Sequence, residues 1–200
     1  MKVVKLLLTA FAIFIIYSSM KQNSHEADSK ILAFGDSLTY GYGVKQEFSY
    51  PAVLEKKINV KVINAGVCGE TSHEGLARLE ELLKLKPKLV ILCHGANDVL
   101  QNYSKKQLKI NLLKMVEMIK KTNAKILLVG VPNYKLSNVK ILTLYKEVAD
   151  ETSIMYENSI LSYIQRHKDL KSDDIHPNKA GYKMMAEKFM EIIEINKVQY

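Results

Sequence analysis

Tryptophan is absent from this chain of 200 residues, cysteine occurs twice, proline four times and glycine nine times. Two cysteines, Cys68 and Cys93, are too few for a disulfide framework, and their spacing suits neither a zinc site nor a C-x-x-C redox pair. So little glycine and proline excludes a collagen-like or low-complexity chain and leaves regular elements to dominate. No arginine-rich block and no nucleic-acid-binding motif is present, so nucleic acid is not an expected partner. The hydrophobic share is 48% and the charged share 25%, the balance of one globular domain rather than a disordered chain or a polytopic membrane protein.

The charge leans one way, with 29 Lys and Arg against 21 Asp and Glu, a formal +8. Lys2, Lys5 and Lys21 lie in or beside the N-terminal segment. The remaining lysines are scattered along helix-like stretches. A solvated basic face is the ordinary reading, and weak association with an anionic membrane surface is the sharper one.

Residues 1–5 carry two lysines, and residues 6–17 are apolar apart from Thr9. A polar stretch follows. Basic start, short apolar run and polar exit form the layout of a secretory signal. Twelve residues rise only about 18 Å as a helix, against a hydrocarbon core of about 30 Å. No A-x-A site follows, since Ser18-Ser19-Met20 matches it poorly. The expectation is therefore a signal sequence or uncleaved membrane tether over residues 1–22, a linker over 23–29 and one domain over 30–200. It carries with it export to the periplasm or beyond, with inner-membrane tethering as the alternative.

The body alternates short apolar runs with helix-period stretches. Strands are predicted at 30–34, 60–63, 89–93 and 125–129, with a weak edge strand at 153–156. Helices are predicted at 49–57 with Ser49 as cap, 72–85, 105–121, 138–151 and 178–195 with Asn178 as cap. Such alternation makes a mainly parallel five-stranded sheet with helices on both faces. Right-handed crossovers put the loops after the strands along one edge, where open α/β sheets bind ligands.

Those loops hold unusual polar residues. After the first strand stands Gly35-Asp36-Ser37-Leu38, and after the second Asn64-Ala65-Gly66-Val67-Cys68-Gly69-Glu70-Thr71. His94-Gly95-Ala96-Asn97-Asp98 follows the third, and Asp173-Asp174-Ile175-His176-Pro177 precedes the last helix. Acyl transfer needs a nucleophile, a neighbouring imidazole to take its proton, a carboxylate to orient that ring, and donors for the developing oxyanion. Ser37 and His176 fit the first two roles, and Asp173 or its neighbour Asp174 the third. The Asn97 amide and the N–H groups of Ser37 and Gly69 fit the last, a glycine allowing close approach of backbone to substrate.

In these four blocks the chain resembles the SGNH hydrolases, also called GDSL esterases, over about residues 30–195. Each block alone is weak; four in order, each after its expected element, are specific. The resemblance implies a flavodoxin-like three-layer α/β sandwich and a Ser37, Asp173, His176 catalytic triad. It assigns the oxyanion donors to Ser37, Gly69 rather than Gly66, and Asn97, and prefers Asp173 to Asp174. It implies no cofactor and no metal. Residues 65–83 look most like the bacterial exported thioesterase I, lysophospholipase and arylesterase group, so an acyl ester, thioester or lysophospholipid is the expected substrate. The acyl chain is expected against residues 132–137.

Two rival functions stand beside this. One is a carbohydrate O-deacetylase of the same fold, whose activity would drop sharply beyond acetate esters. The other is a non-catalytic binding module on the same scaffold, which a serine-directed phosphonate would fail to label. Asp36 and Asp98 read as loop-bonding residues. His94 reads as a packing or solvent residue, and Cys68 as small-core packing.

Overall fold

Five strands of three to six residues line up in one sheet in the order β2-β1-β3-β4-β5, and every neighbouring pair is parallel. They are β1 (Lys30–Gly35), β2 (Lys61–Gly66), β3 (Leu89–Cys93), β4 (Lys125–Val129) and β5 (Met155–Glu157). The coordinates are a computed structural model that describes residues 30–134 and 139–198. The expected signal and linker, residues 1–29, lie outside the described residues, as does half of the stretch expected to hold the acyl chain, residues 135–137.

Among the described residues, eight α-helices connect and follow the strands: α1 (Ser37–Tyr40), α2 (Tyr50–Ile58), α3 (Ser72–Leu83), α4 (Ala96–Leu100), α5 (Lys105–Lys120), α6 (Thr143–Thr152), α7 (Ile160–Arg166) and α8 (Lys179–Ile195). α2 packs with α8 on one face of the sheet, while α3, α5 and α6 pack in sequence on the other. The result is the three-layer, flavodoxin-like sandwich expected from the alternation. All five residues of β3 are buried because it is central and covered on both faces, which is why Leu-Val-Ile-Leu-Cys shows no alternation. Each fully buried Leu or Ile contributes about 1.5–3 kcal/mol to this core.

The strand order reverses between β1 and β3, which are adjacent although β2 lies between them in the chain. Such a reversal opens a crevice beyond the carboxyl ends of the strands. The residues after β1 and β3 flank that point, so the fold places Ser37 and Asn97 beside it.

Some local expectations needed correction. Ser49 does not cap α2; its hydroxyl donates to the Gln46 carbonyl at 2.7 Å, and Pro51 in the first turn starts the helix instead. The helix predicted from residue 138 starts at Thr143, because a bridge between Pro132 and Ile141 holds the preceding chain extended. The short helices α1, α4 and α7 had not been expected; four to seven residues show too little of the 3.6 period to be read. Asn178 caps α8 as expected, its side chain accepting from the N–H groups of Ala180 and Gly181.

Candidate active site

Asp36 ends β1 and opens α1. Its carboxylate accepts the Leu38 N–H at 3.0 Å, which turns the chain so sharply that Ser37 occupies the first helical position. Among the described residues the Ser37 N–H has no acceptor, as expected for a first-turn amide. From the other end of the chain, the loop before α8 carries His176 to the same point. The Ser37 hydroxyl lies 3.0 Å from His176 Nε2. The other ring nitrogen, Nδ1, lies 2.7 Å from Asp173 Oδ2.

Asp173 is fixed in its own right. Its second oxygen accepts the backbone N–H of Ile175 at 2.8 Å and of His176 at 2.7 Å. Partial burial pushes its carboxyl up, but these donors and the imidazole outweigh that and hold it below the ordinary aspartate value. Asp174, the competitor, supplies only its main-chain carbonyl to Lys171. Tyr42 packs against the His176 ring with centroids 4.4 Å apart. Tyr182 of α8 donates to the Tyr42 carbonyl at 3.0 Å, tying that loop to the helix behind it.

The β2 loop reaches the site through Val67, whose N–H donates to the Gly35 carbonyl at 3.0 Å. Gly66 and Gly69 play different parts there. A Cβ on Gly66 would stand 2.1 Å from the Tyr40 backbone nitrogen, so Gly66 exists to let β2 pass α1. Gly69 has φ +80° and open space where a Cβ would be. Its glycine is required by backbone conformation, and its N–H has no acceptor among the described residues. The Asn97 side-chain amide donates to the Glu70 carbonyl at 2.9 Å, which joins the β3 loop to this one. An amide carries two hydrogens, so one is left over for a ligand.

Beneath these loops sits a charged cluster that the sequence did not reveal. Arg78 of α3 bonds both oxygens of Glu70, at 2.5 and 2.6 Å, and the Ala65 carbonyl at 2.8 Å. Its guanidinium lies 4.5 Å from the centre of the Phe34 ring. His94 is fully buried, with Nε2 3.1 Å from Glu70 Oε2 but out of line for a good hydrogen bond. It thus has an acidic neighbour that its sequence context did not suggest. Burial raises the Glu70 carboxyl, and His94 and Arg78 together bring it below its ordinary value. Asp98 accepts the Ser72 N–H at 2.8 Å and the Ser72 hydroxyl at 2.6 Å, so it joins α4 to α3 as a loop-bonding residue.

Cys68 is exposed, contrary to the packing role expected for it, because it stands in the outward turn between Val67 and Gly69. Partial burial and the Asp36 charge push its thiol up, which keeps it protonated and poorly nucleophilic. Cys93 is buried at the end of β3. Among the described residues no three His, Cys, Asp or Glu side chains are grouped to hold a metal ion.

A serine on an imidazole on a carboxylate, beside unpaired N–H donors at the switch point of a parallel sheet, is the equipment of an α/β ester hydrolase. Comparison with known families agrees: residues 33–184 match the GDSL-like lipase/acylhydrolase family, and the chain belongs to it. It is a hydrolase that acts on ester bonds. It is 33% identical to an arylesterase of Vibrio mimicus over 173 residues, covering 81% of this chain and 86% of that protein. It is 32% identical to thioesterase 1/protease 1/lysophospholipase L1 of Escherichia coli K12, covering 80% and 81%. Among solved structures it resembles the psychrotrophic esterase EstA of a Pseudoalteromonas species, determined as inhibited by monoethylphosphonate. The TM-score is 0.76 at 28% identity, over 86% of this chain and all of that one.

Proposed function

We propose that the chain hydrolyses acyl esters and thioesters in two steps through an acyl-enzyme on Ser37. The observation that carries this is the continuous relay from the Ser37 hydroxyl to His176 Nε2 at 3.0 Å and from His176 Nδ1 to Asp173 at 2.7 Å. His176 takes the Ser37 proton as Oγ attacks the substrate carbonyl carbon. Asp173 holds the ring in the tautomer that leaves Nε2 free to accept, and balances the imidazolium that forms. The N–H groups of Ser37 and Gly69 and the spare hydrogen of the Asn97 amide receive the oxyanion. The tetrahedral intermediate collapses, the carbon–oxygen or carbon–sulfur bond breaks, and His176 returns its proton to the departing alcohol or thiol. Water then attacks the acyl-enzyme, giving up a proton to His176. Carboxylic acid leaves and Ser37 is restored.

Aryl esters, acyl thioesters and lysophospholipids are the substrates we infer, on the strength of the relatives' names. We infer too that residues 1–22 direct the chain out of the cytoplasm, as a cleaved signal or as a retained tether, from their basic and apolar layout. The test is hydrolysis of p-nitrophenyl esters of increasing chain length by the native chain and by Ser37→Ala, together with labelling by a serine-directed phosphonate. The native chain should be labelled at Ser37 and accept acyl chains beyond acetate; the variant should lose both activity and label. Full activity in Ser37→Ala would end the mechanism, and a sharp loss beyond acetate would move the substrate to acetylated carbohydrate.

A further inference from the structure

The edge of the sheet opposite the site has a distinct charge. In a parallel sheet all strands start on one side, and here four starts are lysines or follow one: Lys30, Lys61, Lys88 before β3, and Lys125. They form a row held by backbone pairing. Lys30 is in register with Lys61, the Lys88 N–H donates to the Lys30 carbonyl at 2.8 Å, and the Lys125 N–H donates to the Lys88 carbonyl at 2.9 Å. The turn into β3 adds Lys84 and Lys86, and α5 ends nearby at Lys120 and Lys121. Lys84, Lys86, Lys88 and Lys121 border a groove of 980 Å³.

Acidic neighbours neutralise part of this row. Lys84 pairs with Glu81 at 2.5 Å, Lys121 with Glu117 at 2.8 Å and Lys61 with Glu55 at 3.2 Å. Lys86, Lys88 and Lys125 are exposed and, among the described residues, form no ion pair. Two large apolar side chains stand out from the same edge, Leu85 between the lysines and Ile195 at the end of α8. The opposite edge holds acid: Asp36, Glu70, Asp173 and Asp174 stand in the loops of the candidate site, and Asp98 in the first turn of α4. The catalytic edge has exposed lysines of its own, Lys45, Lys105 and Lys106, but they do not form a row fixed by strand pairing as those at the opposite edge do.

We propose that this lysine edge is a docking face for an anionic lipid bilayer, which holds the catalytic edge away from the membrane. Two observations choose a bilayer over other polyanions. Basic side chains with protruding apolar ones between them suit a headgroup layer, where the charge meets phosphate and the apolar side chain enters the acyl boundary. The second is where the chain enters the fold. Lys30 lies in the middle of the row, and directly upstream of it come 29 residues whose apolar run spans 6–17. The intervening twelve residues stretch to about 40 Å at most, roughly the width of the domain. A chain held through its apolar run thus meets the membrane at the lysine edge whenever the linker is slack, and at the catalytic edge only when the linker is almost fully extended. The inference rests on the reading of residues 1–22 as membrane-directed, not on the esterase chemistry.

The test uses the full chain on vesicles of phosphatidylcholine with and without about 30% phosphatidylglycerol, with amine acetylation read residue by residue. Lys84, Lys86, Lys88 and Lys125 should be acetylated at least about fivefold more slowly on the anionic vesicles, and about 1 M salt should abolish the difference. Lys105 and Lys106, which open α5 at the catalytic edge, and Lys45, in the chain between α1 and α2, should be unaffected. The variant K84Q/K86Q/K88Q should lose at least about 25-fold of its phosphatidylglycerol-dependent binding, about fivefold for each of the unpaired Lys86 and Lys88, with unchanged p-nitrophenyl ester hydrolysis. The variant K45Q/K105Q/K106Q should lose far less. Equal acetylation on both vesicles, or equal losses in both variants, would overturn the proposal, the second by showing a response to net charge alone. It would also fall if RNA in solution protected these lysines better than the vesicles, or if the lysines only offset the helix C-termini at this edge, so that K84Q/K86Q/K88Q lowered Tm without changing lipid binding.

Discussion

Asn97 and Glu70 are joined by one hydrogen bond, 2.9 Å from the side-chain amide of the first to the main-chain carbonyl of the second. Through it the loop after β3 and the loop after β2 hold each other. The Glu70 carboxylate, gripped by Arg78 and backed by His94, anchors that carbonyl from below. Glu70 therefore positions, without touching substrate, the Asn97 amide that we propose as an oxyanion donor.

Glu70→Gln tests this positioning role. Gln cannot pair with Arg78 as an ion, so the loop should relax by a few tenths of an ångström while Ser37 and His176 stay in place. We expect kcat to fall about tenfold with KM changed less than about twofold, since the oxyanion contact matters most in the transition state. Stability should fall by about 2 kcal/mol for the partly unpaired guanidinium. Steady-state kinetics on one aryl ester, beside a melting curve, separates the two effects. A rise in KM alone would show that Glu70 shapes binding instead.

Asn97→Ala removes the proposed donor itself. Loss of one oxyanion donor costs about 100–1,000-fold in kcat. The side chain is only partly buried, and Glu70 keeps its other anchors, so the fold should survive. Circular dichroism and kcat measured on the same preparation check both halves of the expectation.

Gly66 and Gly69 should respond oppositely to alanine. At Gly66 the new methyl meets backbone of α1 at 2.1 and 2.6 Å, which no side-chain motion relieves. Gly66→Ala should cost about 3 kcal/mol and displace α1 with Ser37. At Gly69 there is room, and only the left-handed backbone at φ +80° is penalised. Gly69→Ala should cost about 1 kcal/mol in stability yet lower kcat if its N–H turns away. Urea unfolding and kinetics on both variants would distinguish packing from donor function.

Asp36 sets a pH dependence of stability. Burial raises its carboxyl from 3.8 to about 6, against the opposing pull of His94, the Leu38 and Ala96 N–H groups and His176. Between those values the folded chain binds more protons than the unfolded one, so stability falls as pH rises through that window. Above it the buried charge is carried at a cost of about 3 kcal/mol. Asp36→Asn keeps the capping oxygen and removes the charge. It should raise Tm at about pH 7.5 and change it little near pH 4, as thermal unfolding across the range would show. A uniform loss at both would mean that the carboxylate is needed as an anion.

The layout of the fold was legible because β1, β3 and β4 are runs of apolar residues too short for helices, separated by stretches of helical period. Ser37, Asn97, Asp173 and His176 were legible because each stands in a short block beside a strand or helix end, where chemistry concentrates. Arg78 was not. It reads as one more cation on α3, and only the fold carries it under the β2 loop. His94 was likewise misleading as an isolated imidazole, since its acidic neighbour lies across the strand order at Glu70. Ser49 failed as a cap because the preceding turn offered its hydroxyl a nearer acceptor.

The sequence by itself determined the alternation, and through it the parallel sheet, the edge that holds the site, and the edge at which every strand begins. These follow from local periodicity and from the handedness of crossovers, which need no knowledge of distant contacts. Only the tertiary structure decided that Asp173 and not Asp174 meets the imidazole, that Gly66 is a crossing point while Gly69 is a turned amide, and that scattered lysines make one row. Those outcomes depend on distances between residues far apart in the chain, which packing sets and no local pattern encodes.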